Sequence, residues 1–433
     1  MKNITVLILV AACLFGYVLV FTPAVPIGDQ WELVPLLKSV DLNGLVAQHN
    51  EHRIFFPRLI FLALAHLSRW NMRCETAVGW LLFVMLMFAI WAKFSRQFTD
   101  PAARAVFMAL LVAEFSPVHN NNLLWGWQVQ IMLSVLCMFI AFSSGLASGK
   151  EPRSLTAAIA SLVIASFSFL SGLFGWFITL FAMVRSGAVR ALNAALFVAA
   201  GALTFFLYFR GFNRVVPPAE TAVPLAHKLW QVPAYFIVYM GANFIPTHKL
   251  GKFLVPVLWL SGIWGAILLA AGLYYVVRTW KYRPEETVLP QCLMLLGLFS
   301  AFSTAFGRID YGLSFALISR YHIFQMCYLI GLAWLFLLET VKAGKLEAYR
   351  KPLVALLLAL ALINWVGGIG LGILKMRKTD RVVTELIQKE DKISESSALV
   401  IYPNPAVLRN RIKMLKEVKY NVFQTKGAAG SEK

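Results

Sequence analysis

The sequence predicts an all-α polytopic membrane protein of about eleven transmembrane helices, and three observations predict it. Over 433 residues, 59% are hydrophobic and only 14% charged, far less charge than a soluble chain of this size carries. Mean hydropathy is +0.69. Apolar runs of spanning length recur along the chain, and Lys and Arg gather in the short loops between them. The net charge of +19 therefore fits membrane orientation and anionic lipid headgroups better than nucleic acid. Cys13, Cys74, Cys137, Cys292 and Cys327 lie mostly inside apolar segments without a close pair. Neither a disulfide framework nor a zinc pattern follows from them.

A spanning helix needs roughly 20 apolar residues. Residues 4–22 meet that, with Lys2 favouring a cytoplasmic N-terminus. Lys2, the apolar run and Thr22-Pro23-Ala24 resemble a signal peptide, but the many apolar segments that follow make a retained first helix the better reading. The run Ile54 to Leu67 is short and bracketed by Arg53, Arg58 and Arg69, which suits an interfacial helix. Val78–Ala92 is then the second crossing and brings Lys93, Arg96 and Arg104 into the cytoplasm, as the excess of positive charge there requires. Residues 105–117 go out and 128–147 return to the basic turn Lys150–Arg153. Segments 155–169 and 172–184 form a tight hairpin turning at Ser171-Gly172, with Arg185 and Arg190 at its inner end.

Helix 190–209 leads out to a long loop, 210–252, that carries Pro217, Pro218, Pro224, Pro233 and Pro246 and a partly apolar, re-entrant stretch 229–245. Helix 253–277 returns to Arg278, Lys281 and Arg283; 287–306 goes out; 321–338 comes back to Lys342–Lys351; and 353–374 exits. The count is eleven, with the N-terminus inside and the C-terminus outside. Residues 1–374 thus form a membrane domain whose first outer loop is 23–76, and 375–433 form a small extracytoplasmic tail. In the tail, 398–402 reads as a strand, 405–417 as a helix and 420–423 as a second short strand. An α/β appendage of that size lacks room for a robust core of its own and is expected to dock on the membrane domain.

With this topology the unusual polar residues collect on one side. Asp29 and Glu51-His52-Arg53 lie there, as do His119 to Asn122, Trp125, Trp127, Gln128 and Gln130. His248, Arg308, Asp310, Arg320, Tyr321 and His322 follow. The cytoplasmic loops hold mainly Lys and Arg and no His. Polar groups at membrane depth are costly and mark function. Each has a plainer alternative: Asp29 as a helix cap, the Trp and amide stretch as an interfacial aromatic belt, Arg308 and Arg320 as headgroup anchors. His49, Glu51 and His52 match no strong zinc spacing. No cofactor is indicated; a divalent cation stays open, with no ligand pattern calling for one.

One helix, a long outer loop with an early acidic residue, interfacial helices and then many crossings resemble the GT-C superfamily of integral-membrane glycosyltransferases. Protein mannosyltransferases and lipid A aminoarabinose transferases share that plan. Gly28-Asp29-Gln30-Trp31, Gln48-His49-Asn50-Glu51-His52-Arg53-Ile54 with Pro57-Arg58-Leu59, and Ser319-Arg320-Tyr321 are similar to motifs in a group of bacterial membrane proteins of that type. So is Leu399-Val400-Ile401-Tyr402-Pro403. Many relatives carry two near-adjacent acids after the first helix; here Gln30 and Trp31 separate Asp29 from Glu32, which puts a two-acid metal site in doubt.

The resemblance implies a multi-pass protein of the bacterial cytoplasmic (inner) membrane with an extracytoplasmic active site. It implies transfer of a sugar from a polyprenyl-phosphate donor to a hydroxyl of a glycan, lipid or protein acceptor. Asp29 is then the candidate base, its pKa raised by the low-dielectric wall beside it. Glu51 is a second catalytic carboxylate or, with His52, an acceptor clamp. Arg320, with Arg308 behind it, takes the phosphate. Arg53, Asn120, Trp125, Gln128 and Tyr321 complete the substrate-binding set. The alternative class is a transporter or flippase of a lipid-linked sugar or other anionic amphiphile, whose charges would line the midplane and both faces. A membrane acyltransferase would need a cytoplasmic His.

Overall fold

The computed structural model describes residues 2–148, 151–187, 190–213, 224–245 and 251–424. Lys150, Pro217, Pro218, Pro246 and His248 lie outside them. Among the described residues nine helical segments are long and apolar enough to cross a membrane. They are Ile4–Phe21, Met72–Gln97, Pro101–Leu124, Gly126–Gly145, Ala191–Phe209, Gly251–Thr279, Pro284–Tyr311, Ser319–Lys342 and Leu346–Lys392. Three shorter apolar helices are Phe55–Ser68, Arg153–Ser166 and Gly172–Arg185. The chain is an α-helical polytopic membrane protein.

Local chemistry sets the helix starts. Asn71 accepts from the Arg73 amide at 3.0 Å and opens helix Met72–Gln97. Asp100 accepts from the Ala103 amide at 2.8 Å, and Pro101 follows at the first helical position, where its missing N–H costs nothing. Within the bundle, large side chains such as Phe83, Phe94, Phe107 and Trp334 are enclosed, while Trp259, Leu260, Leu362 and Val366 face outward, as the lipid-facing side of a spanning bundle requires.

A second core lies at one end of the bundle and joins two distant stretches. Trp31, Leu33, Leu36, Leu37, Ile54, Phe61 and Trp70 of the first loop pack with Val382, Leu386, Ile401, Leu408, Ile412 and Leu415 of the tail. The loop and the tail therefore sit at the same end, which requires an even number of crossings between residues 72 and 389. The eight long helices of that interval are an even number by themselves. The turn 167–171 between Arg153–Ser166 and Gly172–Arg185 also lies at the loop end, where Phe169, Leu170 and Ser171 face the same cavity as the first loop. Helix Phe55–Ser68 packs Phe61, Leu62 and Ala65 into the loop core.

The tail contains no strand among its described residues. Residues 395–401 form helix Glu395–Ile401, and 421–423 form a single 3-10 turn. The run Ala398–Ile401 is too short for its pattern to separate strand from helix. Ser394 decides it by capping the Ser397 amide, and Ala398 and Ile401, three apart, go into the shared core together. Helix Pro405–Glu417 matches the sequence reading, capped by Asn404 on the Val407 amide at 3.1 Å. No break separates the last span from the tail, because one helix runs from Leu346 to Lys389.

Candidate functional site

A cavity of about 240 Å³ opens at the loop end of the bundle. Its walls come from six separate stretches: the first loop, residues 125–131, the turn after residue 168, Phe212, residues 300–311 at the end of helix Pro284–Arg308, and residues 320–324. Of the ten residues singled out above, Asp29, Glu51, His52, Trp125, Gln128, Arg308, Arg320 and Tyr321 line it together. Arg53 and Asn120 do not.

Asp29 belongs to a 3-10 helix, Gly28–Leu33. Gly28 opens it at φ +55°, and a Cβ there would stand 3.0 Å from the Trp125 ring, so both conformation and space call for glycine. Trp125 Nε1 donates to the Ile27 carbonyl at 2.9 Å. The neighbouring Gln30 takes the Ile27 amide on Oε1 at 3.0 Å and donates through Nε2 to Glu75 Oε2 at 2.5 Å. Glu75 is buried and receives Trp70 Nε1 at 2.8 Å on its other oxygen. That buried carboxylate locks the segment carrying Asp29 onto helix Met72–Gln97. The sequence does not single out Glu75, because its apolar run begins only at Val78 and leaves Glu75 in the first outer loop.

The second element is a two-stranded hairpin, Gln48–His49 against His52–Arg53, with Asn50 at φ +49° in its two-residue turn. Pairing puts His49 opposite His52 and Gln48 opposite Arg53, so the two pairs face opposite sides. The Gln48–Arg53 side grips the end of helix Ala191–Phe209. Arg53 donates to the carbonyls of Tyr208 (2.5 Å), Arg210 (2.5 Å) and Val46 (3.0 Å). Gln48 exchanges two bonds with Asn213, at 2.6 and 2.9 Å. Arg53 is thus occupied with main-chain carbonyls, while Asn120 is buried in the helix Asn120–Leu124.

The other side of the hairpin makes two histidine–carboxylate pairs in the cavity. His49 Nε2 lies 3.5 Å from Asp29 Oδ2, and its ring stands edge-on to Trp127. His52 Nε2 lies 3.6 Å from Glu51 Oε1, its ring stacks on Phe169, and its Nδ1 accepts from the Leu170 amide at 3.3 Å. Arg308 forms a close ion pair with Glu51. Burial pushes His52 down to about 4 against the pull of Glu51, so it is neutral near pH 7. Burial opposes ionisation of Glu51, but His52 and Arg308 outweigh it and hold the carboxyl below its usual range. Asp29 departs from expectation in the same way. Burial raises it, yet the hydrogen bond and charge of His49, with Arg320 and His52 behind, leave it lowered. The low-dielectric wall is present, and the hydrogen bond with His49, with the Arg320 charge behind it, overrules it.

Arg320 presents its guanidinium beside Tyr321, donating to the phenol oxygen at 3.1 Å. Among the described residues no carboxylate lies within salt-bridge distance of it. Trp127, Gln128 and Gln130 bring flat apolar surface and amides to the same space. Two residues counted with the outer polar set lie elsewhere: His119 and His322 are fully buried with Glu114, His119 Nε2 standing 3.8 Å from Glu114 Oε2. Among the described residues no group of three or more His, Cys, Asp or Glu side chains is arranged to hold a metal ion.

No protein-family model matches the chain, and neither does any curated protein sequence. Among solved structures, the chain is similar to the crystal structure of ArnT from Cupriavidus metallidurans in the apo state. The likeness covers 77% of this chain and 78% of that one, at 13% identity and a TM-score of 0.37.

Proposed function

We propose that this protein is a membrane glycosyltransferase. It takes a sugar from a polyprenyl-phosphate carrier and passes it to an acceptor hydroxyl of a glycan, lipid or protein on the extracytoplasmic side. The observation that carries the reading is one cavity that holds both halves of such chemistry. Arg320 offers a guanidinium with no carboxylate partner among the described residues, and the Asp29–His49 pair offers a site for a proton. A guanidinium fork suits an oxygen pair of a phosphodiester and stabilises the phosphate as it departs. Trp125, Trp127, Gln128 and Gln130 supply ring faces and amides for a sugar and its hydroxyls. Arg308 is engaged with Glu51, and the pair shapes the cavity wall beside His52. The spanning bundle around the cavity gives the lipid chain of the donor an apolar setting.

The test is binding and transfer in membranes with a labelled polyprenyl-phosphate sugar. Arg320→Lys keeps the charge and loses the fork, so donor binding weakens by about tenfold or more, the loss of one charged hydrogen bond, while acceptor binding holds. Normal binding of both substrates would make Arg320 a headgroup anchor. Absence of donor binding and of transfer in the wild type would remove the reading altogether.

A further inference from the structure

We propose that Glu75 is a positioning residue for the transfer: through Gln30 it holds Asp29 in register with the Trp125–Gln128 wall. The inference rests on the glycosyltransferase reading and names a residue outside the cavity on which turnover there depends.

Three segments distant in sequence meet at this carboxylate. Gln30 Nε2 donates to Oε2 at 2.5 Å, and Trp70 Nε1 donates to Oε1 at 2.8 Å. The third segment is the turn Trp125–Gln128. A Cβ on Gly126 would run into Glu75 Oε2 and stand 3.1 Å from Gln30 Nε2. The turn therefore lies directly on the Glu75–Gln30 bond, with no room for a side chain between. Glu75, Gln30, Trp70 and Gly126 are all buried. Among the residues that line the cavity, Asp29 adjoins Gln30, and Trp125, Trp127 and Gln128 surround Gly126, while Glu75 and Gln30 stand behind the lining. Glu75 acts on a substrate only through the segments it joins.

The polarity of these contacts calls for a carboxylate. Gln30 takes the Ile27 amide on Oε1 at 3.0 Å, which fixes its amide orientation and turns its NH2 towards Glu75. The indole of Trp70 is a donor only. Both Glu75 oxygens thus face N–H groups, and a carboxylate accepts from both. An amide at position 75 would set its own NH2 against one donor or the other, in a buried place where an unmade hydrogen bond is costly. Ile27 closes the frame, because its carbonyl takes Trp125 Nε1 at 2.9 Å. The stretch Ile27–Gln30 that carries Asp29 is pinned at both ends, to helix Met72–Gln97 through Gln30 and to the aromatic wall through Ile27. Arg320 belongs to a separate 3-10 turn, Ser319–Tyr321, so loss of the frame should slow transfer and spare donor binding.

The experiment reverses the polarity of the central bond. Glu75→Gln sets donor against donor, and Gln30→Glu sets acceptor against acceptor. In Gln30→Glu/Glu75→Gln the carboxylate at position 30 accepts from the Ile27 amide and from the amide at position 75, whose oxygen accepts from Trp70. Every partner is restored and the charge of the pair is unchanged. Transfer per donor-binding site should fall about 10- to 100-fold in each single variant, the cost of misplaced reacting groups, with the donor KM within about threefold of wild type. The double variant should return to within about threefold. A merely structural role would lower the number of donor-binding sites and leave the turnover of each unchanged. Gly126→Ala removes no hydrogen-bonding group and should show the same split. Hydrogen–deuterium exchange gives a readout without turnover: peptides carrying Ile27 and Gly126 should exchange faster together in Glu75→Gln and recover together in the double variant. Full turnover per site in both single variants, or a double variant no better than the worse single, would reduce Glu75 to a satisfied polar group of the core. If neither single variant folds, the double variant decides alone: turnover near wild type supports the frame, and failure to fold or to transfer overturns it. If the wild type binds no donor and transfers nothing, the glycosyltransferase reading fails, while exchange still decides whether Glu75 joins the two walls.

Discussion

At the scale of single residues, His52 ties the cavity to pH. Its pKa is depressed in the fold to about 4 from an ordinary 6.5, chiefly by burial. A depressed group binds fewer protons folded than unfolded, so the stability it contributes is present above about pH 6.5 and is lost as pH falls toward 4. Asp29 and Glu51, also depressed, act in the same direction. The protein in detergent should lose thermal stability across that window, by at most about 1.4 kcal/mol for each unit of the shift. His52→Gln keeps an acceptor for the Leu170 amide and should flatten the slope between pH 6.5 and 5; an equal slope in the variant would place the acid sensitivity elsewhere. The chemistry of these residues was legible in the sequence as a cluster of ionisable groups beside a membrane. Their pairing was not, because His49 and His52 share a face only through a two-residue turn that Asn50 alone signals. The direction of the Asp29 shift was hidden for a related reason, since His49, its leading cause, reaches Asp29 only through that hairpin and Arg320 lies nearly three hundred residues away in the chain.

At the scale of elements, the hairpin is too short to stand alone and takes its position from the end of helix Ala191–Phe209. Arg53 is the clamp. Three of its nitrogens each meet a different carbonyl, two of them at or just beyond that helix end, where a cation is also favoured by the helix dipole. Arg53→Lys replaces the fork by one ammonium and should cost about 1–3 kcal/mol of stability, with transfer falling because His49 and Glu51 lose their register. Thermal unfolding and transfer measured on the same membranes check both. Unchanged stability with weakened substrate binding would return Arg53 to the binding set. Sequence reading found the long helices because their apolar length leaves no competing state. It misread 398–402 because a five-residue apolar run obeys whichever cap and partner it meets, here Ser394 and Leu386.

At the scale of the whole molecule, the tail and the first loop form one body, although more than 300 residues separate them. Glu32, three residues beyond Asp29, accepts from Tyr402 and from Arg411. Lys38 pairs with Glu417 at 2.6 Å, and Asn421 reaches the carbonyls of Ala24 and Trp70. The size of the tail had indicated that it must dock; its landing place was not legible, because side chains meeting across the full chain leave no local pattern. Deletion after Lys378 removes Val382, Leu386, Ile401, Leu408, Ile412 and Leu415 from the shared core. Each large aliphatic side chain buried is worth about 1.5–3 kcal/mol, more in total than a loop of this size can lose and stay ordered. The spans draw on a separate core, so the truncated chain should still insert. Trypsin should then cut at Lys38, Arg53 or Arg58 far faster than in the full chain. Transfer should be lost with the Asp29–His49 pair, whereas donor binding, which rests on Arg320 at the start of helix His322–Lys342, should weaken without vanishing. A truncated protein whose first loop resists trypsin and whose transfer persists would make the tail an independent appendage and the shared core dispensable.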